Sequence, residues 1–313
     1  MSDTSDQGQV ADAVKGNWVD THAPTALRPY LRLSRADRPI GTWLLLLPCW
    51  WGLTLAVAAT GFRPFDIWIA LGCAIGAFLM RGAGCTWNDF TDRDIDGAVA
   101  RTRSRPIPSG QVTLRGALAW MVAQVALAAL ILFTFAPAAI ALGLVALGPV
   151  AIYPFAKRFT WWPQLFLGIA FNWGALLAWA AHTGALTWPP VFLYLGGIAW
   201  TLFYDTIYAY QDVEDDALIG VKSTARRFGD RPTPWLRAFA AGTVLLMGAA
   251  TLVALPVLPA MVALCGVWAM GWHLAWQLAR LDIDDADTCL RLFRSNRTAG
   301  LIPLPFFAIA ALL

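Results

Sequence analysis

The sequence predicts an all-α polytopic membrane protein, a bundle of about nine transmembrane helices with its N-terminus on the cytoplasmic side. Three observations carry this reading. Of 313 residues, 58% are hydrophobic and only 14% charged, with a mean hydropathy of +0.57 and 17 Trp and 17 Phe. A soluble domain has roughly 45–50% apolar and about 25% charged residues. The apolar residues are gathered into runs near the length that crosses a bilayer, about 20 residues. Lys and Arg, finally, collect at one set of helix ends.

The runs fall at 41–60, 66–86, 116–135, 137–154, 163–182, 189–211, 235–255, 259–279 and 298–313. Pro137, Pro189 with Pro190, and Pro256 with Pro259 punctuate tight connections between neighbours. With nine spans, 22 of the 23 Lys and Arg lie on one side and only Arg63 lies opposite. That side is cytoplasmic by the positive-inside rule. Gaining or losing a span mid-chain would scramble the partition.

Residues 1–30 are expected as a polar, disordered cytoplasmic tail, and 31–313 as the transmembrane domain. The first 27 residues carry Asp3, Asp6, Asp12 and Asp20, no Arg and no apolar stretch. This fits neither a secretory signal nor a mitochondrial address. The expected location is a bacterial cell inner membrane. Five cysteines without CxxC spacing and three scattered histidines suggest neither a disulfide framework nor a zinc site. A net charge of +3 is too small to imply nucleic acid.

The acids are more telling. Asp89, Asp92, Asp94 and Asp96 crowd one cytoplasmic span end, and Asp212, Glu214, Asp215 and Asp216 another. If the helix continues, Asn88, Asp92 and Asp96 share a face at i, i+4, i+8, and Asp212 and Asp216 repeat the spacing. Like charges so placed destabilise a helix. One such stretch could be a solvated loop; two at matched ends point to a bound cation. Carboxylate oxygens suit Mg²⁺, which is usually held by a few carboxylates together with substrate phosphates. The run Asp92-x-Asp94-x-Asp96-Gly97 imitates an EF-hand, but its twelfth position is Arg103 where a bidentate Glu is required. Arg101, Arg105 and Lys222 interleave with the acids and suit a diphosphate.

These residues resemble the UbiA superfamily of intramembrane prenyltransferases. Its NDxxDxxxD motif is matched by Asn88, Asp89, Asp92 and Asp96, and RTxxRPxPSG by Arg101 through Gly110. Its DxxxD motif is matched by Asp212 and Asp216, preceded by a DTxYAxxD-like stretch from Asp205. The segments 38–48, 153–164 and 220–225 are similar to the 4-hydroxybenzoate polyprenyltransferases, with Val221 where Ile is common. The resemblance covers about residues 30–300 and implies an all-α fold. It further implies Mg²⁺-dependent transfer of a polyprenyl group from its diphosphate to the ring carbon ortho to the hydroxyl of 4-hydroxybenzoate, in ubiquinone biosynthesis. Homogentisate, a naphthoate or haem are the alternative acceptors within the family.

On that reading, Asp89, Asp92, Asp96, Asp212 and Asp216 hold metal. Arg101, Arg105 and Lys222 neutralise phosphate charge, and Asn88 orients a ligand or binds phosphate. Arg38, Lys157 and Arg158 are candidates for the acceptor's carboxylate. Asp205 lies two helical turns before Asp212 and deeper in the membrane, where an ionisable residue is costly. It is expected to assist the phenol, with Tyr208 beside it, or to partner an Arg. Trp43, Trp50, Trp51 and Trp87, or Trp268, Trp272 and Trp276, either line the isoprenoid path or simply pack. An ion-coupled transporter is the rival class, but its carboxylates belong near the bilayer midplane rather than at helix ends.

Overall fold

Proline sets the rhythm of the helices. It fixes φ and lacks an N–H, so it suits a first helical turn, whose N–H groups are unbonded anyway. Six helices carry it there: α2 (Arg28–Leu33), α6 (Pro137–Phe159), α7 (Pro163–Phe171), α9 (Trp188–Ala209), α12 (Thr233–Ala254) and α15 (Pro303–Ala310). The others are α1 (Trp18–Thr21), α3 (Ile40–Thr60), α4 (Phe65–Thr91), α5 (Leu114–Leu132), α8 (Trp173–Thr183), α10 (Val213–Leu218), α11 (Thr224–Phe228), α13 (Val257–Ala279) and α14 (Ala286–Leu301). The structure, a computed structural model, describes residues 16–93, 102, 104–218 and 220–313, with the side chains of Asp212, Glu214 and Asp215 outside that description. Among the described residues there is no strand.

Seven helical segments are long and apolar enough to cross a membrane: α3, α4, α5, α6, α7 with α8, α12 and α13. They account for seven of the nine expected spans. The sixth expected span is α9, whose 22 residues reach about 33 Å. Paired prolines, paired glycines and Asp205 dilute its apolar content. The ninth differs more. Pro303 interrupts the hydrogen-bond ladder at Ile302, so that 298–313 is divided between polar α14 and the eight residues of α15.

The chain forms two compact units, Met1–Trp43 with Ile75–Ile131, and Leu44–Ala74 with Leu132–Leu313. In the first, part of the expected tail is folded. Asn17 caps α1, Trp18 Nε1 donates to the Ala36 carbonyl at 3.0 Å, and Arg32 pairs with Asp20 at 2.7 Å. Ile107 and Val112, from the loop before α5, are buried with Leu33 and Ala117 against Tyr30, Phe90 and Trp120.

In the second unit α9 is central and packs against α7, α8, α12 and α14. Its glycines permit the approach: a Cβ on Gly197 would lie 2.2 Å from Asn172 Oδ1, and one on Gly196 2.9 Å from Met247 Cγ. Asn172 sits at the break between α7 and α8 and donates to the Gly168 carbonyl and Thr201 Oγ1, both at 2.8 Å. Trp200 Nε1 donates to Asn296 Oδ1 at 2.9 Å, tying α9 to α14. The Asn172 amide N–H groups and Trp200 Nε1 thus spend their hydrogen bonds inside the apolar bundle, where leaving them unmade is costly.

Candidate active site

The first motif stands at the C-terminal end of α4, in the first unit. The helix outruns the apolar run and carries Asn88 and Asp89 before ending at Thr91. Asp92 keeps the helical register by donating its N–H to the Asn88 carbonyl at 2.9 Å, and Asn88 Nδ2 donates to Asp92 Oδ2 at 3.3 Å. Asp89 and Asp92 are both 0% exposed. Burial of two carboxylates calls for countercharge. Arg35 Nη2 donates to Asp89 Oδ1 at 2.6 Å and Arg105 Nη1 to the same oxygen at 3.4 Å. Asp89 Oδ2 is buried and has no hydrogen-bond partner among the described residues.

The turn before α3 is charged and buried too. Burial lifts the Asp37 carboxyl to about 6, outweighing the Arg35 and Arg32 guanidiniums. Burial pulls Arg35 down, yet Asp89, with Cys85 and Asp37, raises it overall and keeps it cationic. Arg38 Nε lies 3.6 Å from Asp37 Oδ1. The Arg81 guanidinium rests on Gly41, where a Cβ would come within 2.5 Å of its Nε. Arg105 is placed by a folded loop: its N–H donates to the Thr102 carbonyl, and Val112 closes back onto the Pro106 carbonyl. Asp96 and Arg101 lie outside the described residues.

The second motif belongs to the second unit. Here α9 gives way to one 3₁₀ turn, Tyr210–Asp212, before α10. The turn falls between Asp205 and Asp212, so the helix between those two is not uniform, because a 3₁₀ turn advances about 120° per residue rather than 100°. Asp216 follows in α10. The Asp212 side chain lies outside the description. Asp205 is half-buried in the last two turns of α9. Tyr208 stacks on Phe293, ring centroids 4.3 Å apart, and Tyr204 meets the same ring at 5.8 Å.

Hydrogen bonds fix the chain after Asp216. The Asp216 carbonyl accepts from the Val221 N–H at 3.0 Å and from Arg226 Nη1 at 3.3 Å, and Arg226 Nη1 also donates to the Val221 carbonyl. The Lys222 N–H donates to the Lys157 carbonyl at 3.1 Å and its Nζ to the Phe159 carbonyl at 3.4 Å. Lys222 and Arg226 both approach the face of Trp161, and Arg158 lies over Phe155. Lys157 and Lys222 are thus brought together, as are Asn88, Asp89, Asp92 and Arg105. Sequence reasoning passed over Arg35, Arg226 and Phe293 as site-forming residues.

Oxygen donors with neighbouring guanidiniums suit a hard cation bound with a phosphate. Among the described residues no three His, Cys, Asp or Glu side chains converge as a metal cage. Mg²⁺ does not require one, since one or two carboxylates plus substrate phosphates suffice. A buried carboxylate oxygen without a hydrogen-bond partner, Asp89 Oδ2, fits that arrangement.

The profile of the UbiA prenyltransferase family matches residues 45–299, and so includes both motifs. This chain belongs to the UbiA prenyltransferase family. Among UbiA relatives, the mitochondrial 4-hydroxybenzoate polyprenyltransferase of Bos taurus is 49% identical over 286 residues, 91% of this chain and 76% of that protein. The Homo sapiens protein of the same name is 46% identical over 90% of this chain and 74% of its own length. The Aedes aegypti one is 48% identical over 88% of this chain, which spans 61% of that longer protein. The solved apo UbiA homolog from Aeropyrum pernix K1 superposes with a TM-score of 0.70 at 23% identity, covering 86% of this chain and 97% of that one. A UbiA homolog from Archaeoglobus fulgidus bound to GPP and Mg²⁺ gives 0.66 at 22% identity, covering 91% and 100%. At these identities the structures speak for the fold. The protein is a multi-pass membrane protein. The expected bacterial inner membrane finds no support in these relatives, which are mitochondrial by name.

Proposed function

We propose that this chain transfers a polyprenyl group from polyprenyl diphosphate to the ring carbon ortho to the hydroxyl of 4-hydroxybenzoate, with Mg²⁺ and with release of diphosphate. The observation that carries the proposal is identity of 46–49% over about nine-tenths of the chain to proteins bearing that activity in their names. The buried carboxylates of the first motif, with guanidiniums beside them, agree with it.

Departure of the diphosphate leaves negative charge on oxygen and positive charge on the allylic carbon. Mg²⁺, when bound, supplies Lewis-acid stabilisation of the departing oxygens. In this reading Asp89 (through Oδ2), Asp92, Asp96, Asp212 and Asp216 hold the ion. Arg101, Arg105 and Lys222 take the remaining phosphate charge, and Asn88 orients the Asp92 carboxylate through its amide. The electron-rich ring carbon attacks the allylic carbon, and the ring then loses a proton. Asp205 assists ionisation of the phenol by taking up its proton, or contacts the aromatic acceptor, with Tyr208 beside it and packed on Phe293. Arg38, Lys157 and Arg158 engage the acceptor's carboxylate. The partition of Lys and Arg supports nine spans, with the N-terminus and the carboxylate ends facing the cytoplasm.

Purified protein is incubated with 4-hydroxybenzoate and a polyprenyl diphosphate, with and without Mg²⁺, beside Asp92→Ala. A prenylated product lost on chelation and in the variant is the expected result. Binding of either substrate without product would reject the acceptor or the chain length. Absence of both binding and product would reject the activity and restore the transporter reading.

A further inference from the structure

Arg35 is the single non-glycine residue with a positive φ among the described residues, at +59°. The hydrogen bonds around it say why the chain bends there. The Ala36 N–H reaches back to the Leu31 carbonyl and the Arg35 N–H to the Arg32 carbonyl, both at 3.0 Å. These are the two bonds of a Schellman ending for α2, which places Arg35 at the position that glycine usually takes. The accompanying apolar contact is present as well, Leu31 packing on the cluster that includes Ala36. A long side chain gains nothing locally from a left-handed backbone. An outlier of this kind is a reason to look at what the side chain does.

Its guanidinium reaches one backbone carbonyl and one carboxylate. Arg35 is 8% exposed, so its guanidinium is turned to groups within the fold rather than to solvent. Nη1 donates to the Arg32 carbonyl at 3.3 Å, and Nη2 donates to Asp89 Oδ1 at 2.6 Å. With Arg105 on the same oxygen, Oδ1 is fully engaged and Oδ2 stays buried without a hydrogen-bond partner among the described residues. We infer that Arg35 is a positioning residue: by engaging Oδ1 it fixes the Asp89 rotamer and leaves Oδ2 as a single oriented oxygen for the divalent cation. It also sets a positive charge against the buried Asp89 carboxylate. This rests on the reading of Asp89 as a metal-holding carboxylate in prenyl transfer.

Arg35→Gly is the informative variant, because glycine relieves the backbone while deleting the guanidinium. Binding of Mn²⁺ to the purified protein is followed by electron paramagnetic resonance at saturating, unreactive geranyl thiolodiphosphate. Loss of a partner that orients a metal ligand commonly weakens metal affinity 10–100-fold. The expected half-saturating Mn²⁺ concentration for Arg35→Gly is about tenfold higher or more, while the KM for 4-hydroxybenzoate is unchanged. Arg35→Lys keeps the charge but not the fork, and is expected to recover part of the affinity. Unchanged Mn²⁺ affinity in Arg35→Gly would overturn the inference. If that variant does not fold, Arg35→Lys decides: a weaker Mn²⁺ site upholds the inference and an unaltered one rejects it. Wild-type protein that transfers no prenyl group, yet loses Mn²⁺ on Arg35→Gly, would reject the proposed function and leave this inference standing.

Discussion

His182 offers a test of whether stability and chemistry are separable within the second unit. It is buried at the end of α8, with Nδ1 2.6 Å from Asp66 Oδ1 and Nε2 2.7 Å from Thr60 Oγ1. Asp66, in the first turn of α4, is buried as well, and its Oδ2 accepts the Arg63 N–H at 2.6 Å. Arg63 Nη1 in turn donates to the His182 carbonyl at 2.7 Å. His182→Ala removes the imidazole and leaves Asp66 Oδ1 without that partner. Deleting one side of a buried pair costs about 3–5 kcal/mol. Because Oδ2 keeps its backbone N–H, the low end applies, about 3 kcal/mol.

The chemistry should be indifferent to this loss. His182 precedes the start of α9 by a short loop, whereas Asp205 and Tyr208 sit near its other end, most of about 33 Å away. The assay is reversible unfolding in mixed micelles followed by tryptophan fluorescence, with product formation normalised to folded protein. Stability should fall by about 3 kcal/mol and turnover stay within about twofold. Pairing the variant with Asp66→Asn should return about half of the loss, because the uncompensated carboxylate is gone. A stability change under about 1 kcal/mol would refute the buried pair. A large loss of turnover in fully folded protein would refute the separation of the two ends.

Three further outcomes are expected. Asp205→Asn should lower turnover by about 100-fold, the usual scale for lost acid–base assistance, with diphosphate affinity nearly unchanged; unaltered turnover would remove Asp205 from the mechanism. Gly52→Ala would put a Cβ 2.3 Å from the Ala175 carbonyl oxygen. Backbone cannot rotate away, so a loss of about 3 kcal/mol is expected in the same unfolding assay, and an unaffected protein would mean the two helices do not cross so closely. Asp37, with its carboxyl lifted from 3.8 to about 6, binds a proton more tightly folded than unfolded. Folding stability should therefore fall as pH rises from about 4 to about 6, by at most about 3 kcal/mol, and Asp37→Asn should flatten that slope. A slope that survives in the variant would assign it to another group.

How far the sequence could be read follows from what each signal measures. Apolar length registers burial in lipid, and it located seven spans to within a few residues. It does not register hydrogen-bond continuity, so the interruption at Pro303 and the change of helix type at Tyr210–Asp212 were invisible to it. The same blindness affected the approach to the second motif: the reading that sets Asp205 two turns before Asp212 assumes a uniform helix, and a 3₁₀ turn falls between them. The first motif keeps its register, because Asp92 donates to the Asn88 carbonyl. Of the tryptophans, Trp51 is fully buried and donates to the Gly300 carbonyl at 2.7 Å, whereas Trp272 is 80% exposed. One stripe pattern therefore covers two physical roles, and periodicity does not separate them.

The arginines show most clearly why a site is harder to read than a topology. The positive-inside count treats each Lys or Arg as an anonymous charge, and it works because membrane insertion does so as well. Yet several counted residues have structural work beyond orientation. Arg32 closes on Asp20, Arg35 on Asp89, and Arg226 on the Asp216 and Val221 carbonyls. The partners Arg35 and Asp89 are 54 positions apart, a separation that leaves no period in the sequence. A rule that sums charge cannot distinguish an arginine that only holds orientation from one that also orders a carboxylate. The distinction needs a local anomaly, and at Arg35 the chain supplies one. A left-handed backbone at a helix end asks for glycine, and finding arginine there means that the side chain is worth more than the strain.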